Sequence, residues 1–180
     1  MKGTAEVSPS VKARITCSLY FLSLAAGEFG DYIFHDKAHT AGLLEISGMV
    51  VVTLLLFAIL KPVNMGLALL AASLNLVAMI FEAQSVNPKG QDVGLVIHGM
   101  SFIVFGYLIF RSTFLPRFLG VLMAIAGLGW VTYLVTPFQN YNLGVCLLGE
   151  VSVMLWLLAM GVNDRRWKEQ AAVAGASTRT

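Results

Sequence analysis

Charged side chains are too scarce in this chain to clothe a water-soluble globule. Only 12% of the 180 residues are Asp, Glu, Lys or Arg, 57% are hydrophobic, and the mean hydropathy is +0.77. Lipid is therefore the expected main solvent. The alternation of apolar and polar positions that marks membrane-spanning strands is also missing, because the apolar runs are continuous, so a β-barrel is not expected. Cysteine is nearly absent. Cys17 and Cys146 form no CxxC, fall toward opposite ends of their spans and are expected to be too far apart to pair, so they read as small packing residues. No pair of histidines has a metal-binding spacing such as HExxH. No polar stretch is long enough to make a soluble domain.

What the chain does have is six apolar runs, at 15–34, 41–60, 65–83, 94–110, 118–135 and 143–160. Each approaches the roughly 20 residues that carry a helix across a hydrocarbon core about 30 Å thick. The expected fold is an all-α integral membrane protein, a six-transmembrane-helix bundle forming a single domain at 15–162. A short tail at 1–14 precedes it and a mobile tail at 163–180 follows it. Lys12 and Arg14 ahead of the first run resemble the basic start of a signal peptide. No small-residue cleavage site follows, and Glu28 and Asp31 interrupt its end, so the run reads as a retained helix.

Basic residues set the expected orientation. Lys2, Lys12, Arg14, Lys61, Arg111, Arg117, Arg165, Arg166, Lys168 and Arg179 fall on one side of the alternating loops and only Lys37 and Lys89 on the other. The richer side is expected to be cytoplasmic, with both termini inside a bacterial inner membrane. The net charge of +2 is then a consequence of topology, and nucleic acid is not an expected partner. The lipid bilayer is, together with a small-molecule or ion ligand; the sequence leaves the oligomeric state open.

Ionisable residues retained in apolar helices are the informative ones, because a charge at membrane depth costs a few kcal/mol or more and needs a partner, a cavity or water. Glu28, Asp31, Asp36, Glu45, Glu82, Asp92 and Glu150, with His35, His39 and His98, all fall in the outer halves or outer loops of this topology. That segregation predicts a polar cavity opening outward. At 1.5 Å per residue Glu28 and Glu150 are the deeper pair, roughly 10 Å below the outer surface, while Glu45, Glu82 and His98 lie nearer the helix ends. Helical spacing puts Glu28, Asp31 and His35 on one face, Asn75 and Glu82 on another, and His98 with Ser101 on a third. The plain structural reading is a solvated helix end for Asp31, His35 and Glu82, an interhelical hydrogen bond for His98, and a neutral, hydrogen-bonded carboxyl for Glu150. Gly120, Ala124 and Gly127 make a small-residue stripe in the fifth run that lets another backbone approach closely. Trp130, Tyr133 and Tyr141 read as interfacial anchors, with Trp130 also placed to line the cavity. A weak echo between 29–34 and 105–110, and between Pro62-Val63-Asn64 and Pro137-Phe138-Gln139, has the spacing of an inverted three-helix repeat.

The C-terminal half carries a resemblance. Gly106-Tyr107-Leu108-Ile109-Phe110-Arg111-Ser112, Leu115-Pro116-Arg117-Phe118-Leu119-Gly120-Val121-Leu122, Ala126-Gly127-Leu128-Gly129, Gly149-Glu150, Leu155-Trp156-Leu157-Leu158 and Gly161-Val162 resemble a bacterial membrane family known as domain of unknown function 4386. The match is specific over 94–163 and weaker over 14–83, where Lys61-Pro62-Val63-Asn64 is the best anchor. The resemblance implies a multi-pass membrane protein and no particular reaction. It also implies a His where this chain has Ser101 and an Arg near Asn75. On that pattern Glu150 has kept its place and lost a cationic partner, and is expected to be neutral.

Three functions follow as expectations. The first is handling of a small solute or ion, with Glu150, Glu28, His98, Glu45, Glu82, Asp31, Asn75 and Ser101 as candidate ligand or proton and cation groups. The second is an accessory or scaffold subunit whose polar residues only fix packing. The third is a membrane-embedded, metal-dependent enzyme acting on a lipid-like substrate, with His98, His35 and Glu45 as candidate ligands. No cofactor is expected under the first two, and a divalent metal under the third.

Overall fold

The structure, a computed structural model, describes residues 7–33, 38–83, 88–133 and 139–177, with the side chains of 7–27, 42–83, 93–133 and 143–176. All regular structure among them is helical: α1 (Pro9–Ile33), α2 (Ala38–Leu60), α3 (Met65–Ala83), α4 (Pro88–Arg111), α5 (Arg117–Thr132), α6 (Gln139–Ala159) and α7 (Asp164–Ser177). Helices α1 to α6 correspond in order to the six apolar runs over the described residues. Among the described residues Gly42–Leu60, Met65–Ala83 and Val93–Arg111 are long and apolar enough to cross a bilayer by themselves. Helix α5 has 16 residues, about 24 Å of helix, and α6 meets α7 at 105°.

Local chemistry explains the helix ends. Pro9 and Pro88 stand at first helical positions, where the missing N–H costs nothing. Ser8 Oγ accepts from Val11 N–H at 3.3 Å, Asn64 Oδ1 from Leu67 N–H at 2.9 Å and Asn163 Oδ1 from Arg166 N–H at 3.1 Å, so three helices start on side-chain caps. Gly161, with φ +66°, closes α6 in the left-handed conformation and donates to the Leu157 carbonyl at 3.0 Å.

Small residues set the packing. A methyl added at Gly127 would lie 2.6 Å from the Gly99 carbonyl oxygen, and one at Gly120 would lie 2.5 Å from that of Gly106. Helices α4 and α5 therefore touch backbone to backbone along the stripe predicted from Gly120, Ala124 and Gly127. Gly149 does the same for α6 against Leu122 of α5, at 2.5 Å. Between α1 and α2, Gly27 makes room for the Glu45 carboxyl and Gly48 for the Ser23 hydroxyl. Ala13, Cys17, Ile59, Ala68, Phe105, Leu108, Leu119, Met123, Val153 and Leu157 fill the interior, while Leu22, Leu44, Ile80, Leu128, Leu148 and Leu155 are more than half exposed around the outside. An outward apolar belt around a packed interior is what a lipid solvent requires. Cys17 and Cys146 are buried and free, as expected.

The segment after the sixth run differs from the mobile tail expected. It folds into α7, which lies across one end of the bundle and is held by specific bonds. Ser10 N–H donates to Asp164 Oδ1 at 2.7 Å, Trp167 Nε1–H to the Ile59 carbonyl at 2.8 Å, and the Thr113 N–H and hydroxyl to Gln170 Oε1 at 3.0 and 2.9 Å. The start of α1, the end of α2 and the α4–α5 turn thus meet at one end, tied together by α7. The polar first half of 164–177 hid this, because α7 packs Trp167 against the core and otherwise answers orphan backbone groups on its neighbours.

Candidate functional site

Toward the other end a cavity of about 700 Å³ lies between the helices, and α1 to α6 all contribute to its lining. Its polar lining comes from Tyr20, Glu45, Thr53, Asn75, Glu82, His98, Trp130 and Glu150. Its apolar lining includes Leu24, Met49, Leu56, Met79, Phe102, Met123 and Met154. Among the described lining residues none is Lys or Arg.

Glu150 is the centre of this arrangement. It is 5% exposed, and both its oxygens are occupied. Tyr20 Oη–H donates to Oε2 at 2.8 Å and Trp130 Nε1–H donates to Oε1 at 2.5 Å. Three helices are joined through one carboxyl: α1 brings the phenol, α5 the indole and α6 the acid. Gly149 is what allows α6 to lie close enough to α5 for the indole to reach. Both of these donors are neutral. They satisfy the carboxyl's lone pairs without adding a positive charge.

Asn75 and Ser101 belong to a second network. Asn75 Nδ2 donates to Thr53 Oγ1 at 2.8 Å, Thr53 Oγ1 donates to the Met49 carbonyl at 2.9 Å, and Ser101 Oγ lies 2.7 Å from the His98 carbonyl and 3.2 Å from Asn75 Oδ1. Asn75 is 4% exposed and Ser101 fully buried. This chain of side chains links α2, α3 and α4 and satisfies its members mutually, as buried polar groups in a bundle must be.

His98 sits between the two networks. Its ring lies against Phe102 with centroids 4.2 Å apart and meets Trp130 edge to face at 6.1 Å. Its Nδ1 is buried without a hydrogen-bond partner. Glu45 and Glu82 also line the cavity, Glu45 with its carboxyl over Gly27. Glu28 and Asp31 fall in the last part of α1 and His39 in the first turn of α2, but their side chains, like all of His35, lie outside the described residues. So do residues 134–138, which include Pro137 and Phe138 of the weak echo. No group of three or more His, Cys, Asp or Glu converges on a metal position among the described residues, and His98 and Glu45 are not joined by a third ligand there.

Sequence reasoning passed over Tyr20 and Thr53 and read Trp130 first as an interfacial anchor. The available signal for Tyr20 was a phenol in an apolar run, since a buried hydroxyl must find a partner. Its partner lies 130 residues away, which no spacing rule reaches.

This architecture is that of an all-helical membrane protein with a polar site buried between its helices. Residues 78–161, from the end of α3 through α6, match the model of the family described as Domain of unknown function (DUF4386), the family that the C-terminal half resembles. An uncharacterized protein of Archaeoglobus fulgidus is 26% identical over 123 residues, covering 62% of this chain and 76% of that protein. No solved structure matches the chain.

Proposed function

We propose that this protein binds a small cationic solute with an apolar body, or an ion, in the cavity around Glu150, and handles it at the outer face of a bacterial inner membrane. In this reading α1 to α6 all cross the bilayer, both termini are cytoplasmic, and the cavity opens outward. The observation that carries it is the lining itself: Glu150, Glu82 and Glu45 with no Lys or Arg among the described lining residues, walled by Trp130, Phe102 and Tyr20. In this reading Glu150 is neutral while the cavity is empty and gives up its proton when a cation lies beside it. The carboxylates thus set a preference for positive charge, and aromatic faces add cation–π attraction worth about 0.5–2 kcal/mol. A cavity of about 700 Å³ suits an organic molecule better than a bare ion. The uncommitted Nδ1 of His98 supplies one further polar contact.

Asn75, Ser101 and Thr53 are assigned to packing, because each already has its partners within the bundle. Glu150→Gln separates binding from folding. The amide keeps two groups for Tyr20 and Trp130 to meet, yet removes the acid. Tetraphenylphosphonium binding to the purified protein, followed through quenching of Trp130 fluorescence, is expected to saturate for the wild type and to weaken at least about tenfold for Glu150→Gln, one charge contact of about 1.4 kcal/mol. Equal binding by both would remove Glu150 from the site, and no saturable binding by the wild type would remove the cationic solute.

A further inference from the structure

The sealed end of the bundle holds a second cavity of about 360 Å³, lined by Arg111, Ser112, Thr113, Leu115, Pro116, Arg117 and Arg166. Three arginines from the end of α4, the start of α5 and α7 converge there. Among the described residues none of the three has a carboxylate partner: Glu169 bonds Arg165 at 3.0 Å, and Asp164 accepts from the Ser10 N–H. Two of the guanidinium groups are held in place by neutral contacts. Arg166 Nη1 donates to the Thr113 carbonyl at 3.3 Å, and Arg117 stands 5.8 Å above the Phe110 ring. Placement without neutralisation leaves their remaining N–H groups available to an anion.

The backbone adds to the same site. Helix α5 begins after Pro116, which offers no side-chain cap, and has no acidic residue in its first turn. Its first N–H groups and the positive end of its dipole therefore face the cleft that the arginines line. Directly beside the arginines in sequence, Phe110 and Phe118 are 42% and 52% exposed, and Tyr107 and Val121 continue that apolar surface one turn further along α4 and α5. A cationic cleft at the end of a membrane-length helix, continuous with an apolar flank, matches a ligand that is anionic at one end and hydrocarbon at the other.

We infer that this cleft binds the phosphate of an anionic glycerophospholipid, with its acyl chains lying along the exposed faces of α4 and α5 at Phe110 and Phe118. The site is separate from the Glu150 cavity and does not depend on what that cavity holds. It gives α7 a role beyond closing the bundle, because Arg166 reaches the cleft only while α7 is docked through Trp167 and Gln170.

The test uses the full chain reconstituted in nanodiscs of phosphatidylcholine containing phosphatidylglycerol, with the lipids retained by the protein counted after detergent extraction. Phosphatidylglycerol is expected to be enriched over its bulk share for the wild type. Each of Arg111→Gln, Arg117→Gln and Arg166→Gln should lower that enrichment about fivefold, the fold-change for roughly 1 kcal/mol per arginine near a lipid surface. Arg165→Gln, whose side chain is exposed and paired with Glu169 outside the cleft, should leave it unchanged. An absence of enrichment in the wild type, or an equal loss in Arg165→Gln, overturns the inference. Inorganic phosphate added as a competitor distinguishes the source, since its displacing the lipid completely would assign the cleft to a free anion instead. The three single variants alter exposed side chains, so the comparison survives if a combined variant fails to fold.

Discussion

At the end of the bundle where α1 begins, backbone groups of three helices or turns are answered one by one from α7: Ser10 N–H by Asp164, the Ile59 carbonyl by Trp167, Thr113 N–H by Gln170. At the other end the polar groups are side chains, and they face a common space between the helices. The closed end is held by hydrogen bonds from α7 to its neighbours, while glycines bring α4 and α5 into backbone contact along their length, Gly106 with Gly120 nearer α7 and Gly99 with Gly127 nearer the cavity. The open end keeps Glu45, Glu82, His98 and Glu150 at positions where a packed helix bundle would ordinarily place Leu or Ala. A bundle held rigid at one end can tolerate a polar space at the other, because the stability lost there is offset by contacts along the helices.

The sharpest way to break that division is at Gly127. Gly127→Leu drives a side chain into the Gly99 carbonyl, and a destabilisation of about 3 kcal/mol or more is expected, at or beyond the upper range for overpacking. Loss of monodisperse protein, or a sharply lowered Tm in detergent, is the readout. An unchanged Tm would mean that α4 and α5 do not cross through glycine. Next in size is Trp167→Phe, which keeps the ring and removes the N–H that satisfies Ile59. A loss of about 1–2 kcal/mol is expected, with protease cleavage near α7 accelerated and the cavity end unaffected.

Tyr20→Phe probes the open end directly. Glu150 loses one of its two donors, and a loss of about 1–1.5 kcal/mol is expected in thermal unfolding. If Tyr20→Phe and Trp130→Phe are combined, the cost should exceed the sum of the two, since the carboxyl is then left without either partner. Strict additivity would show that the two bonds act independently. The smallest effect is expected for Ser101→Ala. It removes one donor near Asn75 and should cost about 0.5–1 kcal/mol without changing cation binding at Glu150.

Much of the closed end could be read from residue order, and little of how it closes. Gly120, Ala124 and Gly127 announced a close helix crossing because their spacing puts them on one stripe, yet that spacing does not say which helix fills it. Gly99 and Gly106 of α4 do. Asp164 and Trp167 looked like parts of a mobile tail, because the partners that hold them, Ser10 and Ile59, lie more than a hundred residues away. At the open end, Glu150, His98, Glu45 and Glu82 stood out individually, since ionisable residues are costly in apolar runs. Glu82 and Asn75 were placed on one face by their spacing of seven, and both line the cavity. Tyr20 and Thr53 were passed over because a hydroxyl in an apolar helix has no pattern of its own. Only the partner, Glu150 in one case and Asn75 in the other, gives it meaning.

The sequence by itself determined that this is an all-helical membrane protein, because the length and continuity of apolar runs are local properties and lipid leaves the backbone few ways to satisfy its hydrogen bonds. It also singled out the ionisable residues that a bilayer would penalise. Tertiary structure alone decided that Glu150 is shared between Tyr20 and Trp130, that α7 folds across the bundle end, and that three arginines from three helices form one cleft. Apart from Arg111 and Arg117, these join residues twenty to more than a hundred positions apart. They depend on how closely the backbones approach, which the glycines permit and the folded packing fixes.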